Sequence, residues 1–187
     1  MDAITNIFSA FGLASAAGLN AYLPLLVVAL TARFTDLIQL NEPWDVLTSW
    51  YVITILAVLL LIEMTVDKVP AVDTLNDIIS TAIRPVAGAI LFAAGSGAVG
   101  ELHPVLAIIC GLLVAGGVHA VKATARPAVT AATGGFGNWL VSLSEDALSL
   151  VTTLLAILVP ILLAFLMLIF LLSLAWWWSK RRTRRAG

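Results

Sequence analysis

Long uncharged stretches, separated by short charged clusters, constrain this chain more than any motif in it. They run over residues 3–32, 46–62, 85–100, 104–121, 127–144 and 147–179. A helix needs about 20 apolar residues to cross a bilayer, or about 17 at the short limit. Of the 187 residues 61% are hydrophobic and 11% are charged, whereas soluble domains carry about 25% charge. Those values exclude a water-soluble globule. The expected fold class is all-α, a polytopic transmembrane helix bundle filling residues 1–179, with a basic tail at 180–187.

Four stretches read directly as spanning helices: residues 4–31, 46–62, 104–121 and 147–178. The stretch 85–100 is short and glycine-rich, and 127–144 is the weakest, with Thr130, Thr133, Gly134, Gly135, Gly137 and Asn138 inside it. Charge bears on whether 127–144 crosses. Five of the ten basic residues are Lys180, Arg181, Arg182, Arg184 and Arg185, directly after Trp176, Trp177 and Trp178. That order is a membrane stop and anchor rather than a nucleic-acid arm. With the tail inside, five crossings put Lys68, Arg84, Lys122 and Arg126 outside, against the positive-inside tendency. Six crossings put all of them inside with both termini. Asp36, Glu42, Asp45, Glu101, Glu145 and Asp146 then lie in outer loops beside Arg33. Six crossings is the expectation; five, with 127–144 re-entrant, is its rival.

The stretch 147–179 would make a helix of about 50 Å, too long for a straight span, and Pro160 offers a break. Arg84-Pro85 and Arg126-Pro127 each open a weak glycine-rich segment that ends at a glutamate. This suggests a repeat of two helix hairpins, of the kind some transporters carry. The N-terminus has no basic region, so no cleaved signal is expected. Cys110, the single cysteine, lies in an apolar run and reads as packing.

Candidate chemistry gathers at the cytoplasmic end of this arrangement. Glu63 and Asp67 share a helix face, with Lys68 beside them. Carboxylates within a span are costly unless paired or hydrated and are functional candidates by default; the bland alternative is interfacial capping by Glu63. Asp67, Asp73 and Asp77 are hard oxygen ligands suited to a divalent cation, Mg²⁺ or Ca²⁺, or else solvated loop charges. No cofactor is firmly implied. His119 can relay protons or simply bond a neighbouring helix. Asn20, on a small-residue stripe with Gly12, Ala16 and Pro24, and Asn138, among glycines, are candidate polar groups of a cavity, or packing residues. Lys68, Arg84, Lys122 and Arg126 can receive a phosphate headgroup. No HExxH, GxSxG, P-loop or paired cysteines occur, so no catalytic residue is named and enzyme activity is not expected.

Four ordered blocks carry a family resemblance: 18–24 (GLNAYLP), 63–73 (EMTVDKVPAVD), 84–88 (RPVAG) and 138–146 (NWLVSLSED). Over residues 5–165 the chain resembles a bacterial membrane family called domain of unknown function 4126. The resemblance implies a small polytopic inner-membrane protein and no assigned activity. The functional expectation is a small transporter or channel-like protein, proton-coupled and homo-oligomeric, acting on an unidentified ion or solute. The alternatives are a lipid or polyprenyl-phosphate handler and a non-catalytic scaffold whose polar residues lock helices together.

Overall fold

The computed structural model describes residues 3–66, 70–96, 102–134 and 136–158, with 166, 169–171 and 173 beyond them; side chains of 3–5, 70–78, 96 and 136 are not described. Among these residues there are six α-helices, one 3-10 turn at Trp44–Thr48 and no strand. The helices are α1 Ala3–Leu19, α2 Tyr22–Phe34, α3 Trp50–Val66, α4 Pro70–Ser96, α5 Pro104–Thr133 and α6 Phe136–Leu158. The all-helical class is as expected. Two helices are long and apolar enough to cross a bilayer, α5 and Gly137–Leu158 within α6, while the apolar parts of the others are shorter.

Several boundaries depart from the sequence reading, each for a local reason. The helix expected over 4–31 breaks at Asn20 and Ala21. Asn20 Oδ1 accepts from the backbone N–H groups of Tyr22 (3.1 Å) and Leu23 (2.9 Å), which starts α2 as a cap does. Pro85 does not open a helix; α4 runs through it. Pro127 likewise lies inside α5, which ends only at Gly134. There φ is +60°, a left-handed conformation suited to glycine, and the Gly134 N–H closes on the Thr130 carbonyl. Residues 127–144 are therefore not a crossing of their own: the chain turns back within them, from α5 into α6. This also separates the two Arg-Pro segments, since helix continues to Ser96 after Pro85 but only to Thr133 after Pro127.

The packing centres on α1, which touches α4, α5 and α6, while α2 sits against α3 and α6. Small residues let the backbones meet. A Cβ added at Gly111 would strike the Gly88 carbonyl oxygen, and one at Gly88 would strike Ala115 Cβ, so α4 and α5 cross in near backbone contact. A Cβ at Gly18 would come within 2.6 Å of Ala115 O, bringing α1 to the same place. Phe11 and Phe92 close the adjoining layer edge to face, with centroids 4.9 Å apart. The small stripe Gly12, Ala16, Asn20 and Pro24 is buried throughout.

Polarity is arranged inside out. Tyr51, Leu61, Leu113, Val121, Leu140 and Leu158 are each at least 60% exposed, whereas Glu63, Arg84, His119, Lys122, Arg126 and Glu145 are all buried. Large apolar side chains exposed on every one of α3, α5 and α6 are what a membrane contact or a binding face requires.

Candidate functional site

Each helix delivers its polar groups by simple spacing. The inward face of α5 is Ala107, Gly111, Ala115, His119, Lys122 and Arg126, a run of three- and four-residue steps on one helix face. Its first half is small and allows close crossing; its second half is ionisable. On α6 the buried polar groups are Asn138, Ser142, Glu145, Ser149 and Thr153, at the same steps. On α3, Ile53 and Leu56 face inward and Glu63 follows on the same side. On α4, Ser80 and Arg84 lie one turn apart, and both are buried.

Arg84 is 0% exposed and bridges two partners. Its Nη2 donates to Glu63 Oε1 at 3.1 Å, and its Nη1 lies 3.0 Å from His119 Nδ1. A guanidinium has donors only, so Nδ1 must accept, and the ring is then neutral with its proton on Nε2. That proton faces Thr81 Oγ1 at 3.1 Å. Arg84 Nε has no hydrogen-bond partner among the described residues.

One turn further along α5 a second cluster begins. Lys122 Nζ is 2.8 Å from Glu145 Oε2 and donates to the Leu19 carbonyl at 3.2 Å. Arg126 Nη2 approaches the same Glu145 oxygen at 3.8 Å. Asn20, beside Leu19, donates from Nδ2 to Asp146 Oδ1 at 2.9 Å. The two clusters adjoin along α5, where His119 and Lys122 are three residues apart on the same buried face. Further out on α6, Ser149 Oγ donates to the Ala16 carbonyl and Thr153 Oγ1 to the Ser149 carbonyl. Asn138 Oδ1 accepts from Thr130 Oγ1 at 2.9 Å across the α5–α6 turn.

One comparison with known proteins gives a match. The model of the family described as Domain of unknown function (DUF4126) matches residues 7–180. The chain belongs to that family. No curated protein and no solved structure compared with it gives a match. In this DUF4126 protein the structure thus brings together Asn20, Glu63, Arg84, His119, Lys122 and Arg126 of the residues singled out in the sequence. Asn138 lies apart, at the α5–α6 turn. Asp67 and Lys68 fall outside the described residues, as do the side chains of Asp73 and Asp77. Among the described residues no three His, Cys, Asp or Glu side chains gather as a metal site would require.

Two residues were misplaced by the sequence reading. Glu145 and Asp146 were assigned to an outer loop, opposite Lys122 and Arg126. They belong to α6 instead, and Glu145 pairs with both cations. Thr81, Ser149 and Thr153 were missed as well. On α6 the signal was available: polar residues at 138, 142, 145, 149 and 153 keep helical spacing through an apolar segment. A cleft of about 380 Å³ lies elsewhere, towards the other ends of α1 and α6, lined by Asn6, Ser9, Asp36, Gln39 and Ile157 among others.

Proposed function

We propose that this protein is a multi-pass protein of the bacterial inner membrane whose buried charge network is the ion-coupling centre of a small transporter. The observation that carries the reading is Arg84, fully enclosed between Glu63 and His119. Membrane placement is supported by the inside-out polarity and by the length of α5 and α6. Ionisable groups inside such a bundle are expensive and mark ion or proton paths. They are a poor device for stability alone, since apolar replacements of a buried ion pair are often neutral or stabilising.

The chemistry offers a discrete switch. Neutral His119 accepts from Arg84; a proton on Nδ1 removes that acceptor and sets a second buried cation beside the guanidinium. Arg84 must then move or lean wholly on Glu63. Proton arrival thus changes the packing of α3, α4 and α5 in one step. The assembly is a homo-oligomer with its basic tail in the cytoplasm, and the transported species is a small ion or solute.

The test is flux into proteoliposomes under an imposed pH gradient, with a panel of inorganic cations and small solutes. Wild type should move protons with one of them, and Glu63→Gln or His119→Gln should abolish it. Wild-type rates in both variants, or no flux with any of the panel, would end this reading.

A second reading is a non-catalytic scaffold in which the same pairs lock helices. It is favoured by the pairing of both Glu63 and Glu145 and by the cleft lying away from them. It predicts no flux, and a Glu63→Leu/Arg84→Met double variant that folds and assembles normally. Lipid-headgroup binding ranks behind both, because a phosphate at Arg84, Lys122 or Arg126 would have to displace a carboxylate.

A further inference from the structure

The break between α1 and α2 lies inside the helical packing, and what fills it is a lysine. A helix C-terminus leaves carbonyl oxygens without intrahelical donors and carries partial negative charge. In broken membrane helices such ends, with a nearby carboxylate, make sites for Na⁺ or protons. Here the Leu19 carbonyl closes α1, and it accepts from Lys122 Nζ at 3.2 Å. The same ammonium sits 2.8 Å from Glu145 Oε2 of α6. Lys122 is buried, with a side-chain exposure of 4%.

We infer that the Lys122 ammonium occupies a monovalent cation site formed by the broken end of α1 and the Glu145 carboxylate, so that the coupling ion is a proton carried by Lys122 rather than Na⁺. This rests on the transport reading above for the word coupling, and on geometry alone for the site. The chemistry follows from the side chain. Arg84 and Arg126 hold their charge permanently, whereas a lysine ammonium can give up a proton and leave a neutral amine. The proton passes to the Glu145 carboxylate 2.8 Å away, which leaves a neutral amine beside a neutral carboxyl group, so the site loses its ion pair while Nζ stays tethered. The groups that face this exchange are Glu145 on α6, Arg126 and His119 on α5, Arg84 on α4 with Glu63 of α3 behind it, and Asn20 with Asp146 at the α1–α2 break.

Removing the tethered cation should turn the place into a site for a free one. The experiment is thermal unfolding of the purified full chain in detergent, in sodium, potassium, lithium and choline chloride at one ionic strength. Wild type should show no preference among the four salts. Lys122→Ala should gain a saturable rise of about 4 °C or more in a small inorganic cation over choline, and adding Glu145→Gln should abolish that rise. Lys122→Ser, which contributes an oxygen to the same space, is measured in parallel. The site is overturned if neither variant responds, if the response survives Glu145→Gln, or if neither can be recovered folded in any of the salts. A cation response without wild-type flux would keep the site and remove the transport reading. Wild-type proton flux with no cation response in either variant would do the reverse.

Discussion

At residue scale the controlling fact is that Arg84 has two different partners and no exposure. Arg84→Met leaves Glu63 buried without its cation and should cost about 3–5 kcal/mol of stability. Adding Glu63→Leu should recover most of that, as an apolar pair does in the place of an ion pair. Denaturant unfolding in a mild detergent reads both, and a double variant as unstable as the single would contradict the pairing. His119 gives a pH test. Its protonated form cannot accept from Arg84, so wild-type stability should fall on acidification. His119→Gln keeps a neutral acceptor for Arg84 and should remove this acid dependence, with a change at neutral pH of about 1 kcal/mol or less. A melting series over pH checks both signs.

At the scale of the element, the helices are made by side chains that the linear reading treated as interruptions. Asn20 both starts α2 and holds Asp146, so Asn20→Ala should cost about 0.5–2 kcal/mol as a lost cap, more where Asp146 is left without its donor. The α4–α5 crossing is stricter. Gly111→Val would drive two methyl groups into the Gly88 backbone. It should cost at least the 1–3 kcal/mol, about, of an overpacked core, whereas Gly117→Ala, with open space around it, should stabilise the helix slightly. Parallel melting curves separate the two. The sequence showed that these elements were apolar helices, and it showed the small stripe of α1. It could not show where they end. Pro85, Lys122, Arg126 and Pro127 look like boundaries in one dimension, yet each sits inside a helix, and for Lys122 and Arg126 the reason is that Glu145 of α6 supplies the counter-charge.

For the molecule as a whole, these helix-internal charges bear on topology. The positive-inside tendency counts basic residues in loops. Arg84, Lys122 and Arg126 are buried within helices and engaged with carboxylates, so they carry no vote on orientation, and the argument for a sixth crossing at 127–144 loses its footing. What hydropathy and spacing did make legible was which polar residues are buried together: Glu63, Arg84, His119 and Lys122 stand out in the sequence and are enclosed in the fold. Their partners on α6 were not, because pairing between residues 122 and 145 depends on the turn at Gly134, which only the folded chain reveals. The direct measurement is therefore a charge exchange across that turn. Lys122→Glu and Glu145→Lys should each cost about 3 kcal/mol or more by leaving like charges buried together, and the two combined should regain most of the loss. A combined variant no more stable than the sum of its parts predicts would contradict the buried network on which the whole account rests.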